Sequence, residues 1–166
     1  MSTFLENKIN KPLLVGITGG IGSGKSTISK IFESLGVPVF NSDAAAKNII
    51  NTDKEIIQQI IHQFGNVYHL GKLDTEKMAQ LVFNDKNALE KLNQIIHPKV
   101  REEFKLWVKK NCTFPILIQE AAILIESGAY KNLNKIILVV APLEERIKRV
   151  MKRDGVTEKM VRERIQ

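Results

Sequence analysis

The stretch GITGGIGSGKST, residues 16–27, decides the fold. It holds five of the ten glycines in the 166-residue chain and directly follows the apolar run Leu13-Leu14-Val15. Gly19, four intervening residues, then Gly24, Lys25 and Ser26 fit the pattern G-x-x-x-x-G-K-[ST]. At ordinary composition that pattern would arise by chance in roughly one such chain in a hundred. The flanks sharpen it, because the motif must follow a strand and open a helix. Pro12 to Thr18 reads as a short buried strand, and Ile28, Ile31, Phe32 and Leu35 fall at helical spacing up to the stop at Gly36. Gly19, Gly20, Gly22 and Gly24 let successive backbone N–H groups turn inward and form an anion nest, while Gly16 allows close packing in the strand. Lys25 is placed for the β- and γ-phosphates and Ser26 for Mg²⁺, with Thr27 adding a hydroxyl to an inner phosphate. Gly20 to Thr27, including Ile21 and Ser23, is therefore expected to bind a nucleoside triphosphate.

Working outward, Val37 to Phe40 gives a second strand, and strand–helix–strand within about 30 residues describes a parallel βαβ unit. From Ala44 to Lys110 the chain is helix-compatible, with breaks expected at Asn51-Thr52, Gly65 to Gly71, Asn84-Asp85 and His97-Pro98. This points to a helical subdomain inserted between sheet strands. FPILIQEA (Phe114 to Ala121) and KIILVVAP (Lys135 to Pro142) read as strands buried on both faces. A basic helix follows Pro142, then a last helix with Thr157 as N-cap. The sheet has about four strands and the sequence stops at Gln166 within a charged helix. Either the chain is truncated or its end is mobile.

The bulk composition narrows the setting. Hydrophobic residues make up 43% and charged residues 26%, as in an ordinary globular domain. Cys112, the single cysteine, cannot close an internal disulfide, and neither a membrane span nor a signal-peptide core is visible in the sequence, so a cytoplasmic protein is expected. The formal charge of +7 favours anionic partners without naming them.

A phosphate loop alone does not name a reaction. No guanine-reading N-K-x-D is present, and the length leaves no room for a motor's second half. What remains is a kinase, with the acceptor opposite the loop. Asp43 follows the second strand, which the βαβ reading puts beside the loop strand, at the end where ligands bind. A carboxylate there can take the proton of an attacking hydroxyl; it can also simply cap a helix starting at Ala44, and the two roles are compatible. Arg149 and Arg153 sit four apart on one helix face, suited to closing over a transferring phosphoryl group. Lys148, Lys152 and Arg146 read as a solvated basic face.

Six segments in order, GITGGIGSGKST, LGVPVFNSD, GKLDTEKMAQLVF, LNQIIHPKV, ILIESGAY and RIKRVMKRDGVT, resemble the dephospho-CoA kinase family over Pro12 to Gln166. The resemblance implies transfer of the γ-phosphate of ATP to the ribose 3′-hydroxyl of dephospho-CoA, with Mg²⁺. It implies an α/β fold of the P-loop NTPase type: a parallel sheet flanked by helices, with an inserted helical substrate domain and a helical lid. On this chain the core falls on 10–43 and 113–145, the CoA-binding subdomain on 44–112 and the lid on 146–166, without the family's last strand and helix. Asp43 takes the place of the catalytic aspartate, assisted by Lys25 and Arg149, while Arg149 and Arg153 hold ATP. Lys47, Leu73, His97 and Pro98 fall with Asp43 on the acceptor side, and Glu120 on the carboxylate that orders Mg²⁺-bound water. Asn41, Thr75, Glu120 and Ala122 depart from the family's Asp, Arg, Asp and Pro; Lys72 or Lys77 could replace the charge lost at Thr75. Glu126 matches a family glutamate, or pairs with a surface lysine. No nucleic-acid or membrane partner is implied, and a monomer or small homo-oligomer is expected. A kinase for another small acceptor, such as a nucleoside or nucleotide, is the alternative. A non-enzymatic RNA-binding module is disfavoured, since basic residues are scattered among acids and only one Trp and two Tyr are present for stacking.

Overall fold

The computed structural model describes residues 11–83 and 85–165, so the readings of residues 1–10, of Asn84 and of Gln166 lie outside it. In chain order the elements are β1 (Leu13–Thr18), α1 (Lys25–Ser34), β2 (Val39–Asn41), α2 (Ser42–Thr52), α3 (Lys54–Phe64), β3 (Tyr68–His69), β4 (Lys72–Leu73), α4 (Thr75–Val82), α5 (Lys86–Lys110), β5 (Ile116–Glu120), β6 (Lys135–Leu138), α6 (Leu143–Asp154) and α7 (Glu158–Ile165). A 3-10 turn, Ala129–Asn132, precedes β6. The chain divides into two compact units, one made of residues up to 40 and from 108 onward, the other of 41–107.

The first unit is a parallel four-stranded α/β sheet in the order β2-β5-β1-β6. β1 pairs with β5 from Leu13↔Ile116 to Ile17↔Glu120 and with β6 from Val15↔Lys135 to Thr18↔Leu138. Side chains alternate across the pleat. Val15, Ile17 and Ile118 therefore turn to one face, where Ile28, Phe32, Val37 and Val39 pack on them. On the other face Gly16 lies under Leu124 and Leu133, beside a cluster of Ala121, Leu124 and Ala129. A Cβ at Gly16 would sit 2.5 Å from Leu124 Cδ2 and 2.6 Å from Leu133 Cδ1. Gly16→Ala is therefore expected to cost about 1–3 kcal/mol of stability, seen as a lower urea midpoint. An unchanged midpoint would mean that the two leucines swing aside freely.

Two strand readings are corrected. β2 does not lie beside β1, because β5 occupies the place between them and α1 crosses over it. β5 takes that central slot because Leu117 and Ile118, on opposite faces, are both fully buried. Among the described residues β6 is an edge strand rather than one buried on both faces: Ile137 and Val139 pack on the core, but Leu138 is 65% and Val140 76% exposed.

In α6 and α7, Ile147, Val150 and Val161 form a buried cluster backed by Ile21, Met151, Val156 and Ile165. Thr157 Oγ1 accepts from the Met160 N–H at 3.4 Å, in line with the cap expected there. Ion pairs join the two helices, Arg162 to Glu144 and Arg164 to Asp154.

The second unit is helical apart from one small hairpin. Its buried side chains include Ile49, Ile56, Ile60, Val67, Met78, Val100 and Phe104. Asp53 caps α3 and Asp74 caps α4 through their carboxylates. α5 runs unbroken through Pro98, correcting the break expected at His97-Pro98. Proline deprives only the Gln94 carbonyl of its helical donor, and Val100 and Phe104, buried beyond the proline, hold the continuing turns. The interval read as a break at Gly65 to Gly71 holds β3 and the turn of the β3–β4 hairpin, made by Leu70 (φ 48°) and Gly71 (φ 76°). Both central residues are left-handed, as a two-residue hairpin turn demands. Among the described residues no helix is long and apolar enough to cross a membrane.

Candidate functional site

The glycine loop leaves β1 and enters α1 through Gly24, which has φ 103° and gives the helix no side-chain cap. An uncapped helix start presents N–H groups and a positive dipole end to an anion. Above it lies a cleft of about 270 Å³ lined by Gly22, Gly24, Lys25, Ser26, Thr27, Arg149, Val150 and Arg153. Seven of these eight, all but Val150, are residues that the sequence reading assigned to ATP. The Lys25 ammonium curls back over the loop, donating to the Gly19 carbonyl at 2.8 Å and the Gly20 carbonyl at 3.4 Å.

Ser26, one of the lining residues, donates its hydroxyl proton to Glu120 Oε1 at 2.9 Å. Glu120 ends β5 and is only 4% exposed, while Ser26 lies in the first turn of α1, so the pair joins β5 to the loop helix. Donation of the serine proton to the carboxylate keeps both oxygens available as acceptors. Hard oxygen donors of this kind suit a small divalent cation. No group of three or more His, Cys, Asp or Glu with metal-binding geometry occurs among the described residues. A cation here would thus share Ser26 and Glu120 with the oxygens of its own phosphate ligand and water, the usual arrangement for Mg²⁺.

Arginines of α6 flank the loop. Arg149 Nη1 lies 3.4 Å from the carbonyls of both Gly22 and Ser23. Arg153 is gripped at two points by Asp154, at 2.6 and 3.0 Å. Those hydrogen bonds, joined by the charge of Arg153 and then Arg164, hold the Asp154 carboxyl below its ordinary range. Arg146, read from sequence as part of a solvated face, instead donates from Nε to the Ile21 carbonyl at 2.9 Å. The signal was present: residues 146, 149 and 153 follow i, i+3, i+7 and so form one stripe.

Asp43, Lys47, Leu73, His97 and Pro98 all belong to the 41–107 unit. Asp43 sits in the first turn of α2, and the cap is Asn41, whose Oδ1 accepts from the Ala44 N–H at 2.8 Å. The alternative of Asp43 as cap is thereby corrected; the carboxamide at 41 performs it two residues earlier. Asn51, read only as a break, is a peg: its Nδ2 donates to the Lys47 carbonyl at 2.7 Å and its Oδ1 accepts from Leu73 N–H at 2.9 Å. Lys47 and Leu73 are thus tied through one side chain. Lys77 donates to the Asn66 carbonyl at 2.6 Å. On α5, His97 is half-buried, and that burial, with repulsion from Arg101, lowers the imidazole below its ordinary value and keeps it neutral at pH 7. Glu126 is exposed.

The sequence pattern of the dephospho-CoA kinase family matches residues 13–166. The chain is 40% identical over 152 residues to the dephospho-CoA kinase of Bacteroides fragilis, covering 91% of this chain and 74% of that one. It is 43% identical over 168 residues to the dephospho-CoA kinase of Chlorobaculum tepidum, covering 96% and 80%. Among solved structures, a Thermus thermophilus protein superposes with a TM-score of 0.83 at 35% identity, covering 93% of this chain and 79% of that one. Dephospho-CoA kinase from Campylobacter jejuni gives 0.61 at 31% identity, covering 92% and 78%.

Proposed function

The chain belongs to the dephospho-CoA kinase family, and from that premise we propose that it uses ATP to phosphorylate the ribose 3′-hydroxyl of dephospho-CoA, giving CoA and ADP. The observation that carries the reading is the convergence of Lys25, Ser26, Arg149 and Arg153 on one cleft at an uncapped helix start. That is a site built for a polyphosphate.

In the mechanism proposed, the loop from Gly20 to Thr27, Ile21 and Ser23 included, holds the phosphate chain. Lys25 exchanges its loop carbonyls for β- and γ-oxygens. Asp43 accepts the proton as the acceptor oxygen bonds to the γ-phosphorus and the β–γ bridge breaks. Arg149 and Arg153 balance the charge spread over the transferring group. Lys47, Leu73, His97 and Pro98 hold the acceptor, with neutral His97 able to donate or accept one hydrogen bond. Ser26 and Glu120 would hold Mg²⁺, which when bound neutralises charge on the β- and γ-oxygens.

The test is phosphorylation with Mg-ATP and a panel of acceptors: dephospho-CoA, nucleosides and nucleotides, with products read by mass spectrometry and the 3′ position by NMR. Conversion of dephospho-CoA to CoA in step with ADP release is expected. Turnover of a nucleoside or nucleotide but not of dephospho-CoA would transfer the proposal to another acceptor.

A further inference from the structure

We infer that Arg146 is a positioning residue of the phosphate loop, acting through the Ile21 carbonyl; the inference rests on the nucleotide-binding reading above. An anion nest needs its N–H groups turned inward, so the carbonyls between them must turn outward and find donors elsewhere. Arg146 supplies one, Nε to Ile21 O at 2.9 Å, from a half-buried side chain. Its guanidinium also covers Gly20, where a Cβ would collide with Cζ and Nη2. Its backbone backs Gly22: a Cβ there would fall 2.5 Å from the Arg146 carbonyl oxygen. Three successive loop residues therefore rest on one residue of α6.

The anchor itself is firm, because Ile147 and Val150 beside it are fully buried against Val161. Arg149 makes the instructive contrast. It lines the cleft and touches the loop carbonyls only at 3.4 Å, contacts that a phosphate can replace. Arg146 is outside the cleft lining and makes the shorter bond, so it shapes the loop without touching the nucleotide.

Two variants separate the donor from the charge. In Arg146→Gln the amide nitrogen lies as many bonds from the backbone as Arg Nε, which keeps the donor and removes the charge. Arg146→Met matches the length and has no donor. Calorimetric titration of the full chain with Mg-ATP and with ADP is expected to show about tenfold weaker binding in the methionine variant. The glutamine variant should stay within about twofold of the parent, and KM for the acceptor should move in neither. Wild-type affinity in the methionine variant would overturn the inference. Equal weakening of both variants would also overturn it, by assigning the effect to charge. A methionine variant that loses its cooperative thermal transition without nucleotide would make Arg146 a stability residue instead. Failure to phosphorylate dephospho-CoA with nucleotide binding intact would remove the acceptor assignment and leave this inference standing. A parent chain that binds no nucleotide would remove both.

Discussion

Replacement of Asp43 by asparagine is expected to lower kcat by roughly 10²–10⁴ while KM for ATP stays within about twofold. Asparagine keeps the shape of the side chain but loses its negative charge and, with it, the ability to accept a proton. The substitution is informative because Asn41, not Asp43, accepts the bond that caps α2. Loss of the first-turn charge alone should cost α2 less than about 1 kcal/mol. Rapid-quench kinetics and a melting curve on the same preparation therefore separate the two roles. Retained turnover with a lowered melting temperature would reduce Asp43 to a favourable charge at a helix start.

Lys25→Ala is expected to lower kcat/KM by roughly 10²–10³, the scale seen when one preorganised donor to a developing charge is removed. Its more specific signature is a larger loss of affinity for ATP than for ADP, because the ammonium is assigned to the γ-phosphate as well as the β. The ratio matters more than either value. Lys25 also holds the Gly19 and Gly20 carbonyls, so alanine loosens the loop as well, and that cost falls equally on both nucleotides. Equal loss for ATP and ADP would remove Lys25 from the γ-phosphate.

Much of this was legible in the sequence, and for identifiable reasons. The glycine loop is readable because its chemistry needs glycines, lysine and serine at fixed offsets, and β1 and α1 carry strong local patterns. The place of β2 was not readable, since a βαβ unit fixes the direction of its second strand but not whether another strand intervenes. Edge position escaped for a similar reason: KIIL is as apolar as a central strand, and only its neighbours reveal that Leu138 faces out. Two-residue strands are too short to show alternation, and Leu70-Gly71 lacks the usual Asn-Gly signal, so the hairpin was hidden. Pro98 misled because a local rule was outweighed by packing further along α5. At the site, Lys25 and Ser26 were proposed from the motif and Glu120 from the ordered resemblance, whereas Arg146 and Asn51 make their contacts with backbone carbonyls and amides that no motif records.

The pairing of Leu13 with Ile116 bears on how the chain folds. The two central strands are about a hundred residues apart in sequence, and the whole 41–107 unit lies in the loop between them. Closing a flexible loop costs entropy as (3/2)RT ln n, so each halving of its effective length recovers about 0.6 kcal/mol. A helical unit that condenses early, from contacts local in sequence, shortens that span before the strands meet. Substitutions that weaken Ile56 or Ile60 would then slow formation of the sheet, and the folding rate of the nucleotide core would be set partly by a unit that gives the sheet no more than the last residue of β2.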